Sequence, residues 1–128
     1  MPRILLAEDS WENVAYVTAL LEGLACVVDT AANGRQAIDL FESGKYAVVL
    51  MDCQMPVMDG FEATRLLRAI EARHAWQPAL VVALTANAIA GVKERCLACG
   101  MDAVLIKPFT PESLLAALGS RVSPVGSG

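Results

Sequence analysis

Residues 46–60 read YAVVLMDCQMPVMDG. Six residues without polar alternation, 46–51, suit a strand covered on both faces, as in a parallel sheet. The run stops on a single carboxylate, Asp52, and a proline turn follows at once. An acid in that position is either a cap or a working group, and the remaining strands distinguish the two.

Four further short apolar runs, 3–7, 26–30, 79–84 and 103–106, are bounded by turn signals and alternate with segments of helical period. Val14, Val17, Leu21 and Leu24 recur on one helical face, as do Ala63, Leu66, Leu67 and Ile70, and Leu114, Leu115 and Leu118. Asp59 with Glu62 three residues on reads as a capping box, and Thr110 followed by Pro111 as the start of a last helix. Strands alternating with helices demand parallel pairing through right-handed crossovers. The expected fold is therefore α/β, a (βα)5 doubly wound sheet with helices on both faces. One domain over residues 1–122 is expected, with 123–128, SPVGSG, as a flexible tail or linker remnant.

Composition narrows the function. The 128 residues carry 10 Lys+Arg against 14 Asp+Glu, with no basic cluster to grip a phosphate backbone, so direct nucleic-acid binding is not expected. No apolar stretch of about 18 residues is present and charge follows the first residues at once, so no membrane contact or signal peptide is expected and the setting reads as cytoplasmic. The four cysteines read as reduced thiols, since a domain with this apolar content needs no staples.

The strands share one feature. The first ends in Glu8 and Asp9, the third in Asp52, the fourth in Thr85 and the fifth in Lys107. That carboxyl edge is where open parallel sheets bind ligands. Alone, each residue reads as a cap, a turn residue or a solvated lysine; together they converge on one crevice with complementary chemistry. Three adjacent carboxylates raise one another's pKa unless a cation resolves the conflict. An all-oxygen set with room for water and phosphate suits Mg2+ rather than zinc. A threonine hydroxyl and a lysine ammonium suit the equatorial oxygens of a phosphoryl group. Asp52 then reads as a nucleophile that accepts phosphate from a donor whose phosphoryl group is already labile.

These residues sit in LLAEDS, VVLMDCQMPVMDGFEATR, VVALTANA and GMDAVLIKPF. From residue 3 to about residue 122 the sequence resembles the receiver domains of two-component response regulators, and most of all those attached to hybrid sensor histidine kinases. The resemblance implies a flavodoxin-like strand order 2-1-3-4-5, for which a relative of this fold is a worked example of the switch-point rule. It implies Asp52 as phosphoacceptor, with Thr85 and Lys107 contacting the phosphoryl group. Asp9, Asp52 and the main-chain carbonyl of Gln54 would hold Mg2+, with Glu8 acting through water. It also implies a cis Lys107-Pro108 bond, a histidine kinase or histidine phosphotransfer protein as donor, and no enzyme activity beyond the domain's own Mg2+-dependent phosphorylation and dephosphorylation. Gln54 and Asn87 are expected to flank the water path to the acyl phosphate. The family often has an aromatic residue where this chain has Val104, whose short, stiff side chain predicts signalling through the loop at 85–90 without an aromatic rotamer switch.

Other readings are weaker. A phosphate-independent interaction module would not require the full acid, threonine and lysine set. A flavin or nucleotide site needs a Gly/Ser/Thr-rich cradle after the first strand, where this chain has AEDSWE. A haloacid-type phosphotransferase needs a second Asp two residues after its nucleophile, and Trp11 stands at that distance from Asp9. Cys96 and Cys99 spell CxxC, but with Ile89 and Val92 they share one helical face and read as buried packing; Cys53 is expected to point away from the acceptor. His74, the one histidine, has no ligand set near it, which leaves the phosphodonor histidine to another protein. Trp11 reads equally as helix-start packing or partner surface, and Leu97 beside Lys93 as a partner contact.

Overall fold

The structure is a computed structural model, and residues 1–86 and 90–123 are described. Five parallel strands, β1 (Arg3–Ala7), β2 (Val27–Ala31), β3 (Val48–Asp52), β4 (Leu80–Thr85) and β5 (Ala103–Ile106), pair in the order β2-β1-β3-β4-β5. They alternate with α1 (Trp11–Leu21), α2 (Gly34–Ser43), α3 (Gly60–His74), α4 (Val92–Cys99) and α5 (Pro111–Leu118). The α/β class, the strand order and the alternation agree with the sequence reading; the second and fourth strands begin one residue later than expected and the third two.

Every residue of β3 is buried, as an apolar run in a central strand requires. Its alternate residues feed two cores. Val49 and Met51 face Phe41, Leu67, Ile70 and Cys96 on the side of α2, α3 and α4. Val48 and Leu50 face Val17, Leu21, Leu114 and Leu118 on the side of α1 and α5.

Helix starts follow the capping chemistry. The Asp59 side chain accepts from the Glu62 amide at 2.9 Å. Thr110 and Ser113 cap α5 reciprocally, and Pro111 opens that helix, where its missing N–H leaves nothing unsatisfied. Two expected core leucines turn outward: Leu66 and Leu115 are exposed. Each sits beside a leucine that is buried, Leu67 and Leu114, so adjacency extended the apparent face by one residue beyond what packs. Leu24 is buried but lies past the end of α1.

Candidate phosphoryl and metal site

Register carries the acids together. Ala7 pairs with Met51, so the residues that follow, Glu8 and Asp52, leave neighbouring strands at the same level. Asp52 pairs with Leu84 and Thr85 with Ile106, which brings Thr85 and Lys107 to the same edge. The Lys107 amide donates to the Thr85 carbonyl at 2.7 Å, and the Lys107-Pro108 bond is cis. Four separate strand ends, those of β1, β3, β4 and β5, thus become one cluster because the sheet is parallel.

Glu8, Asp52 and Thr85 are buried, while Asp9 is exposed. Carboxylate oxygens of Glu8, Asp9 and Asp52 lie within 4.8 Å of one another. The Lys107 ammonium is 2.7 Å from Glu8 Oε2 and 3.3 Å from Asp52 Oδ2. The Gln54 amide donates to Asp52 Oδ1 at 3.0 Å, and the Ser10 amide donates to Glu8 Oε1 at 3.3 Å. Gly60 permits this arrangement: a Cβ there would overlap the main-chain carbonyl of Asp52, so only glycine lets the start of α3 lie against the end of β3. The sequence reading did not single Gly60 out, although it ends the quoted stretch.

Burial, reinforced by the neighbouring Glu8 carboxyl, pushes Asp52 up to about 7, against the downward pull of the Gln54 amide and Lys107. Burial acts upward on Glu8 as well, but its bonds with Asp52 and Lys107 outweigh it and hold Glu8 below the usual carboxylate range. Burial would lower Lys107; Glu8 and Asp52 reverse that and hold it above its ordinary value. Asp52 therefore binds a proton more tightly than an isolated carboxylate while Glu8 binds one less tightly, because one ammonium does not neutralise both. A donor set of three carboxylates left short of positive charge fits a hard divalent cation with oxygen ligands.

The remaining residues are placed as follows. Gln54 is exposed on the turn after β3. Cys53 turns to the opposite face, its Sγ 3.8 Å from Cys96 Sγ, and Cys96 and Cys99 are buried, as packing thiols should be. His74 is exposed and stacks on Trp76 at 4.7 Å. Trp11 is 77% exposed, which removes the helix-start packing reading. Leu97 is also exposed, and Val104 packs partly buried against the core on the α3 and α4 side. Asn87, Ile89 and the centre of the 85–90 loop lie outside the described residues.

The comparisons agree with this geometry. Residues 4–119 match the family described as the response regulator receiver domain. The chain belongs to that family. It is 39% identical over 121 residues to hybrid signal transduction histidine kinase B of Dictyostelium discoideum, covering 88% of this chain and 6% of that protein. With the sensor protein GacS of Pseudomonas syringae pv. syringae it shares 39% identity over 113 residues, 88% of this chain and 12% of that one. This receiver thus spans a small fraction of the length of these relatives. Among solved structures, the receiver domain of the Pseudomonas aeruginosa sensor histidine kinase PA1611, with a magnesium ion coordinated in its active site cleft, is 41% identical. It covers 91% of this chain and 93% of that one at a TM-score of 0.81. A 28% identical structure, covering 88% of this chain and 83% of that one at a TM-score of 0.83, comes from the co-crystal of the Saccharomyces cerevisiae phosphotransfer protein Ypd1 with the receiver domain of Ssk1.

Sequence reasoning missed a second charged cluster, at the opposite edge of the sheet. Arg68 donates to Glu71 Oε1 at 2.8 Å, to Asp102 Oδ2 at 2.9 Å and to the carbonyls of Ala79 and Gly100, both at 2.9 Å. Its members are spread over three elements with no shared motif. The only local signal was Glu71 on the apolar side of α3, one residue after Ile70.

Proposed function

We propose that this receiver domain takes a phosphoryl group from a phosphohistidine on a histidine kinase or histidine phosphotransfer protein onto Asp52, and that the new charge switches its conformation. The observation that carries the reading is the cluster of Glu8, Asp9 and Asp52 with Lys107 bonded to both buried acids. The phosphotransfer complex known for the Ssk1 receiver and the magnesium ion in the PA1611 receiver support the same assignment.

Glu8, Asp9, Asp52 and the Gln54 carbonyl would hold Mg2+, which when bound supplies neutralisation of the acids and of the transferring oxygens. Asp52 Oδ attacks phosphorus as the bond to the donor breaks, and the electron pair leaves with the donor. Lys107, already within bonding distance of Asp52 and Glu8, transfers its donors to the arriving phosphoryl oxygens, and Thr85 offers its hydroxyl from the end of β4. A carboxylate is a weak nucleophile, so the site works by positioning and by charge. Slow hydrolysis of the acyl phosphate by the domain itself resets the switch. Residues 1–122 form the working unit, set in a longer cytoplasmic signalling protein, and of the tail at 123–128 residues 124–128 lie outside the described residues.

Intact mass after incubation with acetyl phosphate tests this, with and without Mg2+, on the wild type and on Asp52→Asn. The expected result is one phosphoryl adduct that needs Mg2+ and is absent from the variant. No adduct, together with failure to bind beryllofluoride, would instead favour a phosphate-independent interaction module.

A further inference from the structure

The mouth of the site holds a cation that phosphoryl transfer to Asp52, as described, leaves unused. Arg95, on the exposed side of α4, lays its guanidinium over the ring of Phe61, 3.9 Å from the centroid. Phe61 is the second residue of α3 and is buried. Such stacking fixes a guanidinium plane while leaving its N–H edge free to bond. Among the described residues, no carboxylate pairs with Arg95.

Arg95 and Phe61 form one wall of an open cleft of about 440 Å³ whose other lining includes Asp9, Gln54 and Asp59. Asp9 and Gln54 are also the immediate neighbours of the acceptor: one belongs to the acid cluster and the other bonds Asp52 through its amide. In-line displacement sends the leaving group away from Asp52, toward solvent. The cleft that begins at Asp9 and Gln54 borders that path, and Arg95 is the one cation among its lining residues.

Resting on the assignment of Asp52 as acceptor, we propose that Arg95 receives the leaving carboxylate of small acyl-phosphate donors and so sets how fast this receiver loads from them relative to donors with other leaving groups. In that step the Asp52 Oδ–P bond forms and the P–O bond to the acyl group breaks. The electron pair stays on the acyl oxygen, giving a free carboxylate, and no proton moves. A guanidinium fork matches a departing carboxylate in shape and charge. It offers nothing comparable to a leaving group that departs as a neutral amine or imidazole. Apart from the Mg2+ that Asp9 would share, Arg95 is the one positive charge this cleft, with its Asp9 and Asp59, offers a departing anion.

The test compares two small donors that carry the same phosphoryl group. Wild type, Arg95→Met and Arg95→Lys are loaded in Mg2+ with acetyl phosphate and, separately, with phosphoramidate, and adduct formation is followed by intact mass. Arg95→Met is expected to load from acetyl phosphate about fivefold more slowly, as loss of one solvent-accessible charge-assisted bond implies, and from phosphoramidate at the wild-type rate. Arg95→Lys should fall between. Beryllofluoride, which has no leaving group, should bind all three proteins equally, and this also reports an intact site. An equal slowing with both donors, or no change with either, overturns the role of Arg95. Absence of any adduct on the wild type with both donors overturns instead the Asp52 assignment beneath it.

Discussion

At the carboxyl edge of the sheet, Glu8, Asp9 and Asp52 gather around Lys107; at the amino edge, Glu71 and Asp102 gather around Arg68. Both clusters put carboxylates and one cation against the ends of β-strands, and in both the buried acids also accept from a backbone amide; they differ in the balance of charge. Glu71 accepts from the Ala79 amide at 2.6 Å and Asp102 from the Val81 amide at 2.8 Å, so each acid has a backbone donor besides the arginine. Arg68 in turn is held by two carbonyls and both acids. The carboxyl-edge cluster has three acids for one lysine, and Asp52 sits far above its ordinary pKa because burial and Glu8 outweigh the pull of its partners. The amino-edge arrangement is closed and fixes how α3 meets β4 and β5. The carboxyl-edge arrangement leaves a charge deficit that a divalent cation and a phosphoryl group can fill.

The same chemical change should therefore act with opposite sign at the two edges. Glu71→Gln removes a buried charge from an arginine that keeps its own, and should lower stability by about 3 kcal/mol in urea unfolding. Acetyl phosphate should still label the folded fraction of that variant. A loss below about 1 kcal/mol would mean that the amino-edge cluster is not a closed ion pair and would dissolve the contrast.

Magnesium gives the next effect. At a concentration one hundred times its dissociation constant, a ligand of the native state adds about 2.7 kcal/mol. That gain should be present in the wild type and in Glu71→Gln and largely absent from Asp52→Asn, as read from thermal melts with and without the ion. A gain that survives Asp52→Asn would place the cation elsewhere.

In the absence of magnesium, Asp52→Asn should itself raise stability by about 1 kcal/mol, the ordinary gain when a functional site is relieved of its own conflict. Loss of stability instead would show that Lys107 compensates the acids better than the burial of Asp52 implies.

The contrast between the clusters also explains what the sequence made legible. The parallel sheet and the polar residues at its carboxyl edge could be read because parallel strands carry a continuous apolar code, and because their polar terminators stand next to that code in the chain; the strand order came from the resemblance to receiver domains. Asp52 was visible as the residue that ends such a run. Arg68, Glu71 and Asp102 were not, because each looks like an ordinary surface charge until α3, β4 and β5 are brought together. Gly60 was hidden for a related reason: the feature that requires it is a backbone approach to Asp52, which no side-chain pattern encodes. Leu66 and Leu115 were misread because a helix face about 100° wide is easily overdrawn by one leucine next to another.

A third cluster, toward the amino edge, sharpens the rule at the smallest scale. Arg3 and the Tyr46 hydroxyl both donate to Asp29 Oδ2, at 2.6 and 2.8 Å, so here too the acid is satisfied by fixed donors. Burial first, and the bond to Asp29 second, push Tyr46 up to about 12 from an ordinary value of 10.0. The fold therefore prefers the neutral phenol. Its contribution is complete below pH 10 and is lost as pH rises toward the folded value. Tyr46→Phe removes one hydrogen bond and should be less stable than the wild type by about 1 kcal/mol at pH 9. By pH 11 the wild type should have lost about 1 kcal/mol through this group alone, so the two unfolding curves should converge. Other groups that titrate in alkali are common to both proteins and cancel in the difference. Parallel pH profiles would show that Tyr46 is not bound to Asp29 in solution, and the closed character of the amino edge would then rest on Arg68 alone.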